Sequence, residues 1–411
     1  MEDLLSKLES VDDLKSMVKK LSQRNGILHH IPKRLYDLTK DKKCLEYKGK
    51  RIKTAYLVDI IHGLMMRYFN TQKVYSNLYS LILKEKYGAY YNYYMEWLVE
   101  NRFIHLHSDY CVGKKSKTYL INDECFDDPL RVRTQDRVLM KKKMINILSD
   151  NLDKTNYARI DREIRRKIVN DLAHVEINYE KAKEILDNME GESLIKNSYS
   201  VESIYNGDLY SQFDIYGRVH TNFTTLKSEI RKTCLTIDGY EIEEVDIRNS
   251  QPLFLTILID KHNDDLNCVD DGEYEFFRGL VVNGLFYDYY MKKSGIVPRK
   301  EAKNSVYKVL FGKNAGDIHS EIFRDIFPTI YDFIVKYKEI YGPENGDHKI
   351  ISHELQKCES NFLFNSIIKD IMRQHPHIKL FTVHDSISYP KQYHNEVNDI
   401  FNCHINRLFN N

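Results

Sequence analysis

Two aspartates stand where short strands are expected, and their carboxylates are well suited to carry chemistry. Asp246 follows apolar residues in EIEEVDIRNSQP, and Asp385 follows an apolar run in KLFTVHDSISYP. A buried carboxylate costs free energy unless it is paired or binds a metal. If the two strands are neighbours, both carboxylates face one pair of divalent cations, and such hard oxygen ligands select Mg²⁺ or Mn²⁺. Two metals held in this way can activate a 3′-hydroxyl and stabilise a departing pyrophosphate.

A second group of residues that could do chemistry lies in PRKEAKNSVYKVLFG, residues 298–312, which are predicted to form a helix. At helical spacing Arg299, Lys303, Tyr307 and Phe311 form one stripe, because residues four apart drift by only about 40° around the axis. Two cations can hold a triphosphate while two aromatic rings stack on a base and sugar. The alternative interpretation is an ordinary amphipathic helix whose cations extend into solvent, just as a single strand-end aspartate is often a cap or surface residue.

Composition bounds the kind of protein that carries these residues. The chain has 411 residues, 61 basic and 60 acidic side chains, a net charge of +1 and a hydrophobic fraction of 42%. These values predict several folded domains and exclude disorder throughout. Apolar runs are too short for a membrane helix, and the N-terminus does not resemble a signal peptide, so we expect no membrane partner. Seven cysteines that fall singly are typical of a reducing, cytoplasmic compartment, and the abundance of Tyr, Lys, Asn and Ile indicates an A/T-rich source such as a virus or mobile element.

The N-terminal half reads as two modules. Residues 1–70 are predicted to be a helical region, since Leu4, Leu8 and Val11 fall on one helical face. Residues 71–127 contain two helical stretches, at 75–86 and 90–101, followed by a hairpin with the basic tip VGKKSK. Helix, helix and hairpin in this order resemble a winged helix, which can place its wing on phosphates, although an ordinary hairpin with a solvated turn gives the same pattern.

The middle and C-terminal parts differ in charge and pattern. Residues 131–167 contain twelve Lys or Arg against five acids, so 128–204 are predicted to be a basic helical region that tracks phosphates. A solvated helix face is the alternative. In 205–411 short strands around Asp246 and Asp385 alternate irregularly with helices, which predicts an α+β domain.

Four segments, in this order, resemble the single-subunit polymerase superfamily of A-family DNA polymerases and phage-type RNA polymerases. The similar segments are Asp214-Ile215-Tyr216-Gly217-Arg218, which matches D-x-x-G-R; Val245 through Gln251, which looks like motif A; Arg299 through Gly312, which matches motif B; and His384-Asp385-Ser386, which matches motif C. Each motif is modest by itself, and the four cover about half of the chain. The resemblance implies a right-hand core of palm, fingers and helical thumb.

The resemblance also implies a role for each residue on the nucleotide side. Asp246 and Asp385 would bind two Mg²⁺ ions, with Mn²⁺ as a substitute. Lys303 would contact the triphosphate and protonate the leaving pyrophosphate, and Arg299 would hold the outer phosphates. The remaining nucleotide-binding residues would be Tyr307, Phe311, Gly312 and Gln251.

On the template–primer side the resemblance implies a further set of contacts. Arg218 would contact the template–primer backbone, and His384 would contact the primer end. Asp214 and Gly217 belong to the same template-binding motif as Arg218. Gln356, on the helix before motif C, is a looser match for a residue that contacts the duplex.

Departures from the family pattern bear on the sugar. Gln251 replaces the glutamate that blocks a ribose 2′-hydroxyl in the DNA enzymes and is large enough to do the same. Phe311 lacks the hydroxyl of the tyrosine in the RNA enzymes. Both residues favour deoxynucleotides, whereas Ser386 after the second aspartate is similar to the RNA enzymes. Asn249, Ser250 and Pro252 depart from both branches. No set of spaced acids before residue 200 indicates a proofreading exonuclease.

The sequence therefore predicts a template-directed DNA polymerase without proofreading, which binds template–primer and nucleoside triphosphates and works with replication proteins. An RNA polymerase or primase on the same scaffold is the alternative enzyme. A DNA-binding replication initiator or regulator with an inactive polymerase-like core is the alternative from another class.

Overall fold

The structure is a computed structural model of the chain. It describes residues 26–71, 73–109, 116–136, 138–139, 160–205, 209–313, 316–342 and 348–410. Within these residues the chain forms two compact units. The first contains the described residues up to 139 together with 172–205, 209–211 and 221–239, and the second contains 160–171, 212–220 and 240–410.

The chain combines helices with small antiparallel sheets, which confirms the mixed α and β class. The strands are β1 Ile27–Pro32, β2 Cys44–Tyr47, β3 Lys50–Lys53, β4 Tyr75–Leu78, β5 Ile104–Ser108, β6 Lys117–Ile121, β7 Pro129–Thr134, β8 Val175–Ile177, β9 Ser211–Phe213, β10 Val219–Thr221, β11 Leu235–Ile237, β12 Tyr240–Asp246, β13 Phe381–Val383 and β14 Ser386–Pro390. The helices are α1 Lys33–Thr39, α2 Thr54–Thr71, α3 Ser80–Tyr87, α4 Tyr91–Glu100, α5 Arg162–Leu172, α6 Tyr179–Leu186, α7 Gly191–Tyr205, α8 Ser228–Cys234, α9 Ser250–Leu266, α10 Asp271–Val282, α11 Phe286–Ser294, α12 Arg299–Phe311, α13 Ile318–Ile326, α14 Pro328–Tyr341, α15 Ile350–Phe362, α16 Lys369–Gln374 and α17 His394–Asn410. A π-helical turn, Leu363–Ile368, joins α15 to α16.

Strands in the first unit correct the prediction that residues 1–70 are helical. β1 pairs antiparallel with β7, from Ile27 opposite Thr134 to Pro32 opposite Pro129, and β2 pairs with β3. β1 pairs with a strand about a hundred residues later, and strand formation of this kind depends on tertiary context more than on local propensity. The predicted helix over residues 1–18 lies outside the described residues.

β4, β6 and β5 form a three-stranded sheet in that order, and α3 and α4 lie between β4 and β5 in sequence. The stretch 75–86, predicted to be one helix, begins instead with the strand β4 and becomes helical at Ser80. The tip of the β5/β6 hairpin lies outside the described residues, and Lys117 at its edge is paired with Asp109. The assignment of this module as winged-helix-like stays a prediction.

The predicted basic helical region 128–204 contains both element types. It opens with the strand β7 and continues, among the described residues, with α5, β8, α6 and α7. Its six described cations between 131 and 167 are divided between the two units. That this region is thumb-like and tracks phosphates therefore remains a prediction.

The second unit contains the predicted catalytic residues. β12 and β13 flank β14 in an antiparallel sheet, and a large apolar core joins this sheet to α5 and to the helices from α9 onward. Its largest fully buried side chains are aromatic and include Phe254, Phe277, Phe286, Phe327 and Phe364. This packing holds the sheet and α12 in one unit, and palm, fingers and thumb remain predictions for its parts.

No helix among the described residues is both long and apolar enough to cross a membrane.

Candidate active site

The two predicted catalytic aspartates lie side by side at one end of the sheet. Asp246 is the last residue of β12 and is opposite Ser386, the first residue of β14. Asp385 occupies the two-residue turn between β13 and β14, directly before Ser386. The backbone N–H of Ile247 donates to the carbonyl oxygen of Asp385 at 3.4 Å. Antiparallel pairing of the two strands, which the sequence left open, thus brings the carboxylates together.

The environment of Asp385 disfavours its charged form. The side chain is half-buried, whereas Asp246 is exposed. Burial raises the pKa of Asp385 to about 6, the negative charges of Glu359 and Asp246 add to the rise, and Arg218 opposes it. The charges of the three carboxylates outweigh that of Arg218 around Asp385, and this excess of negative charge is the electrostatic setting of a cation site.

Asp246 and Asp385 could hold magnesium. Among the described residues no group of three or more His, Cys, Asp or Glu side chains is arranged as a complete metal site. Mg²⁺ does not require one, because it is commonly held by one or two carboxylates while water and substrate phosphates fill its other positions. The oxygen ligands and the raised pKa of Asp385 fit such an ion.

Glu359 on α15 is a buried carboxylate that the sequence analysis did not single out. Its Oε1 accepts hydrogen bonds from Nε and Nη2 of Arg218, at 3.1 and 2.6 Å. Its Oε2 accepts hydrogen bonds from Ser250 Oγ at 2.7 Å and from Gln251 Nε2 at 2.6 Å. One carboxylate therefore joins the D-x-x-G-R segment, the start of α9 and α15, next to Asp385.

The D-x-x-G-R segment forms a tight turn that Asp214 holds together. Asp214 Oδ1 accepts from the backbone N–H groups of Tyr216 and Arg218, and Oδ2 is 3.0 Å from His220 Nε2. Although burial opposes it, these hydrogen bonds from His220 and the backbone lower the pKa of Asp214. Asp214 thus fixes the backbone that presents Arg218, and direct contacts of Asp214 and Gly217 with template stay predictions.

Gly217 is needed in this turn for two separate reasons. Its φ is +87°, and an added Cβ would lie 3.0 Å from Ser360 Cβ and 3.1 Å from Ile160 Cδ1. Gly284 has a similar φ of +73° with nothing within 4 Å of the added Cβ, and so isolates the backbone strain. We expect Gly284→Ala to cost about 1 kcal/mol and Gly217→Ala about 2–4 kcal/mol of unfolding free energy, measured by urea unfolding. Equal losses would show that the contacts with Ser360 and Ile160 do not matter.

The predicted stripe on α12 lies on the accessible side of that helix. Arg299 and Lys303 are exposed and Tyr307 and Phe311 are half-buried, while the opposite side packs into the core through Ala302, Ser305, Val306, Val309 and Leu310. The rings of Tyr307 and Phe311 stack with centroids 5.3 Å apart. Burial raises the pKa of Tyr307, and the charge of Asp385 raises it further. The stripe is therefore close enough to the carboxylate end of the sheet to interact with it electrostatically.

Tyr287 on α11 lies against both cations of the stripe and was not predicted. The Arg299 guanidinium is 5.4 Å and the Lys303 ammonium 5.6 Å from the centre of its ring. Arg299 is also ion-paired with Asp288, the next residue of α11. A buried tyrosine beneath two cations holds them over one surface by cation–π attraction.

Lys338 on α14 holds the end of α12 and was also not predicted. Its buried ammonium donates to the carbonyl oxygens of Val309 at 2.7 Å and of Gly312 at 2.9 Å. Burial lowers the pKa of Lys338 to about 8. These bonds satisfy carbonyl groups at the helix C-terminus and fix the position of Gly312 after the stripe.

His384 and Gln356 are placed differently from one another. His384 is exposed in the turn beside Asp385, with φ of +55°. Gln356 donates from Nε2 to Ser352 Oγ one turn earlier on α15. His384 is therefore adjacent to the carboxylates. Gln356 makes a contact within its own helix, and its contact with a duplex stays a prediction.

Comparison of the sequence with protein-family models and with curated proteins finds no match. Among solved structures, the POL domain of Pol1 from M. smegmatis, in complex with DNA primer-template and dNTP, is similar to 66% of this chain and 71% of its own length. The TM-score is 0.46 and the sequence identity 9%. These values are too low to establish a common fold or function, which must be inferred from the site itself.

Proposed function

We propose that the chain is a template-directed nucleic-acid polymerase, specifically a DNA polymerase that lacks a proofreading exonuclease. It extends a 3′-hydroxyl by nucleotidyl transfer and releases pyrophosphate. The observation that carries the proposal is the pair of adjacent carboxylates, Asp246 and Asp385, in one unit with the cation and aromatic stripe of α12. Carboxylates that bind metal and cations that bind triphosphate are the two requirements of phosphoryl transfer.

The residues of α12 bind and orient the nucleotide in this proposal. Lys303 and Arg299 neutralise the triphosphate, and Lys303 donates a proton to the leaving pyrophosphate. Tyr307 and Phe311 form a flat apolar surface for the base and sugar, and Gly312 leaves room at the templating base pair. Holding the nucleotide in this way converts a bimolecular reaction into one between positioned groups.

Asp246 and Asp385 would hold two Mg²⁺ ions, for which Mn²⁺ could substitute. Such ions would supply positive charge that activates the attacking hydroxyl and stabilises the leaving group. Asp385 must be ionised to act as a ligand. Because its pKa is raised to about 6, the metal-free site is expected to lose affinity for Mg²⁺ as the pH falls through about 6. Arg218 and His384 orient the primer end, with Gln356 further along the duplex.

The sugar preference follows from residues 251 and 311. Gln251 is buried and hydrogen-bonded to Glu359. In this proposal its side chain restricts the space beyond the 2′-carbon of a bound nucleotide. Phe311 offers no hydroxyl to a ribose. Both features favour dNTPs.

The proposal is tested by primer extension on a primed DNA template with either dNTPs or rNTPs. We expect Mg²⁺-dependent extension with dNTPs, which stops when EDTA removes the metal and resumes when Mg²⁺ is restored. Extension with rNTPs alone would assign the chain to RNA synthesis. Full retention of activity in the double variant Asp246→Ala, Asp385→Ala would refute the polymerase mechanism.

A further inference from the structure

Glu359 is the best-connected buried side chain of the site, although it makes none of the predicted contacts with substrate. Its side chain is 1% exposed. Four hydrogen bonds of 2.6 to 3.1 Å reach it from Arg218, Ser250 and Gln251. A carboxylate has about four acceptor positions, so this set of donors occupies Glu359 fully. It is therefore suited to hold other residues in place rather than to bind a metal.

This arrangement leaves one polar atom of Gln251 without a hydrogen bond. Its Nε2 is engaged by Glu359, while its Oε1 is buried and has no hydrogen-bond partner. An unpaired buried acceptor costs about 1–3 kcal/mol, whereas a hydrogen bond to a charged group contributes about 1.5–3 kcal/mol. The hydrogen bond to the charged Glu359 therefore sets the orientation of the Gln251 amide, even though this orientation leaves Oε1 without a partner.

Ser250 and Gln251 are tied to Glu359 at a point where the backbone changes direction. Asn249, just before α9, has a left-handed φ of +53°. Ser250 and Gln251 then form the first turn of the helix, and both side chains donate to Glu359. These hydrogen bonds tie the start of α9, four residues after Asp246, to α15.

We propose that Glu359 is a positioning residue that holds Gln251 rigid at the sugar of the incoming nucleotide and holds Arg218 beside Asp385. This inference rests on the proposed polymerase function and extends it to the choice between deoxyribose and ribose. A gate that discriminates by size must be rigid, since a side chain that can turn aside admits the larger substrate. Loss of the anchor is therefore expected to admit rNTPs while leaving dNTP incorporation less affected.

The test is the ratio of kcat/KM for a dNTP to that for the matching rNTP on one primed template. We expect Glu359→Gln to lower this ratio about tenfold, the equivalent of one charged hydrogen bond. The new amide keeps only one acceptor oxygen, so it cannot accept from Arg218 with one terminal atom and from Ser250 and Gln251 with the other, as Glu359 does. The swap Glu359→Gln, Gln251→Glu restores one amide–carboxylate pair, and we expect it to recover most of the ratio. Glu354→Gln, which removes an exposed ion pair with Lys357 on the same helix, is the matched control and is expected to change nothing.

A second variant keeps the inference open to refutation if Glu359→Gln folds poorly. Gln251→Ala leaves Glu359 paired with Arg218 and Ser250, and it is expected to lower the ratio with no further loss when Glu359→Gln is added. An active wild type whose ratio stays within twofold in both variants would overturn this inference alone. A wild type that extends no primer with either nucleotide class would overturn the proposed function and this inference with it.

Discussion

Asp385→Asn is expected to abolish nucleotide incorporation and, at the same time, to make the metal-free protein harder to unfold. Loss of a metal-binding oxygen should lower incorporation by about a thousandfold or more, since metal charge stabilisation is worth several kcal/mol. The unfolding free energy at pH 7.5 in EDTA should rise by up to about 3 kcal/mol. Primer extension and urea unfolding measure the two effects on the same preparation.

The gain in stability follows from the pKa of Asp385. Burial first, and then the charges of Glu359 and Asp246, raise this pKa to about 6 from the ordinary 3.8. The folded protein thus binds the proton more tightly than the unfolded chain. Its contribution to stability is present below about pH 4 and is lost as the pH rises through about 6. An asparagine carries no charge, so the advantage of the variant should be large at pH 7.5 and should vanish near pH 4.

Asp246→Asn is the matched control for this prediction. It removes the other carboxylate from an exposed position, so we expect a similar loss of activity with a smaller gain in stability. Added Mg²⁺ should stabilise the wild type but neither variant, because a ligand raises stability only where the folded state binds it. An Asp385→Asn protein that is less stable than the wild type at neutral pH would contradict the electrostatic account of this site.

Much of the candidate site could be predicted because its signals are local. The stripe of α12 depends on helical periodicity within thirteen residues, and the helix begins and ends within one residue of the predicted bounds. The apolar runs that lead into Asp246 and Asp385 are likewise short patterns, and they correspond to β12 and β13. The pairing of β12 with β14 could not be predicted, because register between distant strands depends on packing across the whole unit.

The residues that support the site were missed for a common reason. Glu359 follows Ile351 and Leu355 at intervals of four on α15, and Lys338 follows Ile330 and Ile334 in the same way on α14. Each charge therefore continues a buried apolar stripe. A charged residue at such a position must be paired when buried, so this spacing is a signal that sequence analysis can use. Its partners, the Arg218 turn for Glu359 and the end of α12 for Lys338, could be identified only from the fold.

The unusual residues after Asp246 can be understood in the same terms. Ser250 departs from both branches of the family that the sequence resembles, and the structure gives it a hydrogen bond to Glu359. A departure in motif A is thus matched by a carboxylate on a helix about a hundred residues later. Comparison of motifs one at a time does not reveal such a pair, because its two members lie on separate segments of the chain.

Lys303→Met is expected to reduce incorporation by about 100-fold to 1,000-fold while leaving the affinity for primer–template unchanged. Within the described residues Lys303 makes no ion pair, whereas Arg299 is paired with Asp288. The ammonium of Lys303 therefore has more to gain from a triphosphate than the guanidinium does. Methionine keeps an unbranched apolar side chain of similar length, so the fold of α12 should persist. Single-turnover kinetics measure incorporation, and fluorescence anisotropy with a labelled primer–template measures binding.

Lys308→Met provides a control on the same helix with the same loss of charge. Lys308 lies about 140° around the axis from Lys303 and contacts His319 at 2.9 Å, away from the stripe. Its substitution is expected to change incorporation by less than about twofold, within the range of ordinary surface substitutions. If the two variants lose activity equally, the effect is one of net charge on nucleic-acid binding, and the stripe does not hold the triphosphate. If Lys308→Met keeps its activity and Arg299→Met loses less than Lys303→Met, the ion pair of Arg299 with Asp288 accounts for the difference between the two cations of the stripe.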